Sequence, residues 1–159
     1  MSKQKIAVFV DVQNIYYTVK QVFGRQFNYK LLWQRLSTDG EIVIAHAYAI
    51  DRGDQLQKKF QNALRQIGFN VKLKPYIQRR DGSTKGDWDV GITIDILEAA
   101  KQVDKVVLLS GDGDFDRLLS HVREEYETSS QVISVTNLTA QSLIEACDEF
   151  SPVDLALLL

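Results

Sequence analysis

The stretch KVVLLSGDGDFDRLL, residues 105–119, sets the pattern for the whole chain. Its first part is a continuous apolar run, which is typical of a β-strand buried on both faces of a parallel sheet. The run breaks at a glycine turn that carries carboxylates, and apolar residues at helical spacing follow. This segment therefore predicts a strand, a loop and a helix, which is the repeating unit of α/β proteins.

The same alternation extends in both directions from this stretch. KIAVFVD at residues 5–11 is another continuous apolar run, and EIVIAHAYAID follows at 41–51. The predicted strands are 5–11, 41–51, 69–76, 104–110 and 131–136, and the predicted helices are 14–23, 29–37, 54–68, 88–102, 114–126 and 140–150. Strands that alternate with helices pair in parallel through right-handed crossovers. We therefore expect an α/β fold with a three-layer, doubly wound, mainly parallel sheet of about five strands in the order 3-2-1-4-5.

Composition narrows the class of protein. The 159 residues suffice for one domain, 1–159, with a sizeable core. The net charge of −2 means that a nucleic-acid partner would need a local basic patch. Cys147 is the only cysteine, which excludes an internal disulfide and favours a cytoplasmic location, and its amphipathic surroundings predict a buried thiol rather than a nucleophile. No apolar run approaches the ~20 residues of a membrane span, and nothing indicates a homo-oligomer.

Acidic residues follow two of the predicted strands and open one helix. Asp11 ends the first strand, Asp112 comes just after the fourth, and Asp89 lies in the first turn of a helix. In the expected order the first and fourth strands are neighbours, and ligands of such sheets bind outside the carboxyl ends of the strands. We therefore expect the three carboxylates to converge, which is unfavourable unless a cation neutralises them. Oxygen-only ligands select Mg²⁺ or Mn²⁺, and the isolated His46 and His121 do not indicate zinc.

Further aspartates have both a structural and a functional interpretation. Asp114 is either the N-cap of the helix that follows or a further ligand, and Asp116 is either a favourable charge in the first turn or a ligand. Asp87 is a candidate cap beside Asp89. Asp95 lies roughly 9 Å along the helix from Asp89 and on another face, so it is a weaker ligand candidate.

Two uncharged polar residues complete the predicted rim. Asn14 either orients Asp11 or a bound water, or it caps the first helix. Ser110 lacks a nearby histidine and a strained turn, so we interpret it as a hydrogen-bond partner and not as a nucleophile.

Three blocks of sequence, VFVDVQNIYY (8–17), KGDWDVGITIDIL (85–97) and LLSGDGDFDRLL (108–119), resemble the NYN domains, specifically the LabA-like group formerly catalogued as domain of unknown function 88. The resemblance implies a PIN-like, Rossmann-like fold and metal-dependent ribonuclease activity. It places the polar positions of the family on Asp11, Asn14, Asp89, Ser110, Asp112 and Asp114, and the helix acid of the family on Asp95. Many members read Lys-Gly-x-Asp where this chain reads KGDWD, which leaves Asp87 as an alternative to the favoured Asp89.

These observations predict an endoribonuclease that hydrolyses phosphodiester bonds of single-stranded RNA with water activated by Mg²⁺ or Mn²⁺. The alternative is a catalytically silent NYN module with an RNA-binding or regulatory role. The basic segment KLKPYIQRRDGSTK, which leads to the site helix, contains an Asp-Gly turn that predicts a hairpin. The expected RNA contacts are Arg79, Arg80, Lys85 and Trp88, with Lys72 and Lys74 nearby. Trp88 has the alternative role of anchoring its helix to the core.

Overall fold

The strand that begins at Lys5 is the centre of the sheet. The computed structural model describes residues 3–75, 77–78, 84–85 and 87–159, with side chains in 3–75 and 87–159. In chain order the strands are β1 (Lys5–Asp11), β2 (Glu41–Asp51), β3 (Asn70–Pro75), β4 (Ile77–Gln78), β5 (Thr84–Lys85), β6 (Lys105–Leu109), β7 (Ser129–Ser134) and β8 (Glu149–Pro152). Six of them form a parallel sheet in the order β3-β2-β1-β6-β7-β8. This confirms the predicted α/β fold and strand order, with one strand more than expected.

Helices cover both faces of the sheet. They are α1 (Val12–Phe23), α2 (Tyr29–Asp39), α3 (Gln55–Ile67), α4 (Asp89–Ala100), α5 (Asp116–Tyr126) and α6 (Gln141–Ala146). On β1, Val8 packs with α1, α2 and α3, whereas Phe9 packs with α4, α5 and α6. Both side chains are fully buried, which is why the β1 sequence is apolar without alternation. No helix in the described part of the chain is long and apolar enough to cross a membrane.

The C-terminal segment differs from the prediction of a helix over 140–150. The helix α6 ends at Ala146, and Glu149–Pro152 form the edge strand β8, which pairs in parallel with β7. The carboxylate of Asp148 accepts the backbone N–H of Ser130 at 2.8 Å and so directs the chain into the sheet. Cys147 is buried, as predicted.

A two-stranded hairpin lies between β3 and α4. Its strands β4 and β5 pair antiparallel, which confirms the predicted hairpin, and Ile77 is opposite Lys85. The predicted RNA-contact residues Arg79 and Arg80 lie outside the described residues, as does the side chain of Lys85.

The carboxyl ends of β1 and β6 lie side by side at the point where the strand order reverses. Val10 is paired with Leu109, so the loops that follow both strands begin at the same edge. This edge is where a doubly wound sheet binds its ligands.

Candidate metal centre at the carboxyl edge of the sheet

Three carboxylates meet at this edge of the sheet. Asp89 is the first residue of α4, and Asp112 and Asp114 lie in the loop between β6 and α5. One carboxylate oxygen from each residue lies within 4.8 Å of the other two. That spacing allows all three oxygens to contact one divalent ion, since Mg²⁺ binds oxygen at about 2.0–2.1 Å.

The loop after β6 holds Asp112 and Asp114 in one short turn. Asp112 caps a single 3₁₀ turn, Gly113–Phe115, by accepting the backbone N–H of Asp114 at 2.9 Å. Asp114 is exposed and does not cap α5, which begins without a side-chain capping hydrogen bond, so the capping interpretation of Asp114 is wrong. Gly111 has no room for a side chain, because a Cβ there would lie 2.7 Å from the backbone oxygen of Leu138.

Asp11 is held behind the three carboxylates. It caps α1 by accepting the backbone N–H of Asn14 at 3.4 Å, so the helix begins at Val12 and Asn14 is not its cap. Its other oxygen accepts the hydroxyl of Ser110 at 3.2 Å. Asp11 was predicted to converge with Asp89 and Asp112, but the group whose oxygens lie within 4.8 Å of one another contains Asp114 in its place.

Ser110 and Asn14 join the loops that carry the acids. The Ser110 hydroxyl oxygen accepts the backbone N–H of Asp112 at 3.2 Å while donating to Asp11. Asn14 accepts the backbone N–H of Gly111 at 3.0 Å on its side-chain oxygen. Ser110 is fully buried, and it acts as the hydrogen-bond partner that the sequence predicted.

Asp89 and Asp11 retain their protons at unusually high pH. Burial, a hydrogen bond with Asp112 and the neighbouring charges of Asp112, Asp87 and Asp11 raise the pKa of Asp89 to about 7. Burial and the charge of Asp112 likewise raise the pKa of Asp11 to about 6, against hydrogen bonds that lower it. None of the ion pairs between described side chains includes Asp11, Asp89, Asp112 or Asp114. The atoms available to bind a metal are all oxygens, and the cluster carries excess negative charge. It therefore suits a hard divalent cation.

Two weaker ligand candidates lie outside this group. Asp116 is the first residue of α5, and its carboxylate accepts the backbone N–H of Arg117 at 2.5 Å. Asp95 accepts a hydrogen bond from the Lys72 ammonium at 2.6 Å and another from the Tyr48 hydroxyl at 2.7 Å. Burial would raise the pKa of Asp95, but these two donors outweigh it and hold the pKa below its usual range.

The aspartate and the tryptophan at the start of α4 have structural partners. Asp87 accepts the backbone N–H of Asp89 at 3.2 Å, as expected of a capping residue. Trp88 is half-buried, and its indole N–H donates to the backbone oxygen of Ala49 at 2.9 Å. The ammonium of Lys74 lies 4.5 Å from the centre of the Trp88 ring. These contacts hold Trp88 against the sheet, the anchoring alternative considered from the sequence.

The two lysines of β3 make contacts within the protein that the sequence does not predict. Lys72 contacts Asp95, and Lys74 donates to the backbone oxygen of Asp87 at 3.0 Å. The signal was their separation by two residues, which places both side chains on one face of the strand.

Comparisons with known proteins agree with this architecture. The model of the NYN domain matches residues 5–155. The chain is 29% identical over 154 residues to the Low amplitude and bright protein LabA of Synechococcus elongatus, a match that covers 92% of this chain and 82% of that protein. It is also similar to a crystal structure of a protein of unknown function, VPA0982, from Vibrio parahaemolyticus, with a TM-score of 0.94 and 49% identity over 99% of this chain and 97% of the other. With the matched region extending across nearly all of its length, the chain belongs to the NYN domain family.

Proposed function

We propose that this protein is a metal-dependent endoribonuclease that hydrolyses single-stranded RNA with Mg²⁺ or Mn²⁺. The observation that carries the proposal is the meeting of Asp89, Asp112 and Asp114 at the carboxyl edge of an NYN-domain sheet. The resemblance to LabA-like NYN domains supports the reaction class.

The three carboxylates would hold the ion. When bound, such an ion lowers the pKa of a water ligand and neutralises charge that develops on a phosphate. Asp89, whose pKa of about 7 leaves it partly protonated near neutral pH, would lose its proton on binding. Asp11 keeps Ser110 in place, and Ser110 in turn accepts the N–H of Asp112, so these two residues orient a ligand from behind.

The surface around the centre suits an extended, flexible substrate. Asp114 is exposed, so the centre is open to solvent. Tyr16 and Tyr17 on α1 are 46% and 51% exposed and are available to stack on unpaired bases. We propose that Arg79, Arg80 and Lys85 in the hairpin before α4 contact phosphates, because basic side chains supply most of the affinity for a polyanion.

The proposal is tested by incubating the protein with labelled single-stranded and duplex RNA in Mn²⁺, with and without EDTA. We expect cleavage of the single strand that EDTA and Asp112→Asn each abolish. Asp39→Asn, which removes the same charge from an exposed site at the end of α2, is the matched control and should retain activity. RNA binding without cleavage would contradict the proposal and favour a silent RNA-binding module. Cleavage that survives Asp112→Asn would exclude the assigned centre.

A further inference from the structure

Asp89 reaches the centre from a different element than Asp112 and Asp114. The latter two share one turn after β6, whereas Asp89 starts α4, so the distance between the ligands depends on where α4 begins. We infer that Trp88 and Lys74 are positioning residues that fix Asp89 for metal binding. The inference rests on the proposed function.

The start of α4 lacks the usual support from its own sequence. Trp88 occupies the N-cap position and makes no side-chain capping hydrogen bond. Asp87 supplies one hydrogen bond, to the backbone N–H of Asp89, from outside the helix. An α-helix leaves its first four N–H groups without helical partners, so an end with so little capping frays easily unless other elements hold it.

Trp88 ties this end of the helix to β2. Its N–H donates to the backbone oxygen of Ala49, and its ring centre lies 5.3 Å from that of Tyr48, the neighbouring residue of β2. The backbone of Gly91, one turn further along α4, packs closely against the indole, since a Cβ there would be 2.7 Å from the ring. The ring is therefore fixed from the sheet side and from the helix side.

Lys74 closes the arrangement from β3. Its ammonium donates to the backbone oxygen of Asp87 at 3.0 Å and lies over the Trp88 ring at 4.5 Å. The two contacts hold the carbonyl of Asp87 and the side chain of Trp88, the two residues immediately before Asp89. A cation over an indole face is favourable in itself. Lys72 repeats the connection further along the helix through Asp95. The edge strand β3 therefore contacts α4 at two places. The contact made by Lys74, at the start of the helix, fixes the position of Asp89.

Residues that orient metal ligands typically contribute 10–100-fold to metal affinity. We therefore expect Lys74→Met to weaken Mn²⁺ binding by about tenfold, because it keeps the length of the side chain and loses the donor and the charge. Lys74→Arg, which retains a cation and a donor, should keep most of the affinity. Trp88→Phe, which keeps a ring and loses the N–H, should lie between wild type and Lys74→Met.

The experiment is a Mn²⁺ titration followed by electron paramagnetic resonance of the free ion, with thermal melting of each variant. Lys58→Met removes an exposed lysine of α3 and should bind Mn²⁺ as wild type does. Leu64→Ala destabilises the core under α3 and should lower the melting temperature without changing Mn²⁺ affinity.

Folded Lys74→Met and Trp88→Phe proteins with wild-type Mn²⁺ affinity would overturn the inference and leave the proposed function intact. A loss of affinity in Leu64→Ala equal to that in Lys74→Met would also overturn it, since destabilisation alone would then explain the effect. Absence of Mn²⁺ binding by the wild-type protein would instead contradict the proposed function.

Discussion

The side chain of Asn14 accepts the backbone N–H of Gly111 at 3.0 Å, which joins the first helix to the loop that carries Asp112. The two residues are 97 positions apart in sequence. Ser110 adds a parallel connection by donating to Asp11 and accepting from Asp112. The loops that leave the neighbouring strands β1 and β6 therefore form one hydrogen-bonded unit beneath the carboxylates.

Asn14→Ala should destabilise the fold, because it leaves the N–H of the buried Gly111 without its acceptor. We expect a loss of about 1–2 kcal/mol in the free energy of unfolding, measured by urea denaturation. Asn62→Ala, which removes an exposed contact with Arg65 on α3, should change the stability by less than about 0.5 kcal/mol. Equal stability of the two variants would contradict the structural role of Asn14.

Asp95→Asn should separate stability from metal binding. The Asp95 carboxylate is paired with Lys72 and Tyr48, so removing its charge should cost about 1–3 kcal/mol of stability. The Mn²⁺ affinity should stay within about twofold, because Asp95 lies outside the group of three carboxylates. A tenfold change would require a coupling of about 1.4 kcal/mol between Asp95 and the centre. Glu98→Gln on the exposed face of α4 is the control for loss of charge. A large fall in Mn²⁺ affinity with unchanged stability would assign Asp95 to the centre instead.

The pKa of about 7 for Asp89 and of about 6 for Asp11 predict how stability depends on pH. Both values lie above the ordinary 3.8, so the folded protein binds these protons more tightly than the unfolded chain does. Their contribution to stability is therefore greatest below about pH 4 and falls as the pH rises through about 7.

Asp89→Asn removes one of these titrations, so its free energy of unfolding should decline less than that of wild type between pH 4 and 8. The measurement is urea denaturation without divalent ions across this range. Superimposable profiles for Asp89→Asn and wild type would show that Asp89 does not carry a raised pKa. Asp39→Asn controls for the change of net charge.

Divalent ions should stabilise the protein most at pH values high enough to ionise the carboxylates. At a free concentration of a hundred times the Kd, a ligand of the folded state adds about 2.7 kcal/mol, which corresponds to about 5–10 °C in Tm for a domain of this size. We expect this increase with Mn²⁺ at pH 8, a smaller one at pH 5.5, and its reversal by EDTA. An equal increase in Asp112→Asn would place the binding elsewhere.

The order of the sheet was predictable because β1 and β6 are apolar on both faces and therefore belong in the centre. The edge strand β8 was not predictable, since it has only four residues and includes Pro152, which is unusual within a sheet. The apolar spacing of α6 also continues to Phe150, which packs in the same core cluster as Leu143. Helix and strand therefore gave the same local signal, and pairing with β7 decided between them.

The gathering of acids followed from chain positions alone, because Asp89 and Asp112 lie where elements begin or end at one edge of the sheet. The direction in which each carboxylate points could not be predicted from chain positions. Asp95 points to Lys72 and Tyr48, which come from two other strands, and Asp11 is held by Ser110. Such preferences depend on side-chain hydrogen bonds between distant segments, which no local pattern records.

The central claim is that Asp89, Asp112 and Asp114 share one divalent ion. Anomalous diffraction from crystals soaked in MnCl₂ tests it most directly. We expect a manganese peak between these three carboxylates, within bonding distance of an oxygen of each, that disappears in Asp112→Asn crystals. Manganese bound only elsewhere, or carboxylates paired with lysine or arginine side chains in place of an ion, would contradict it.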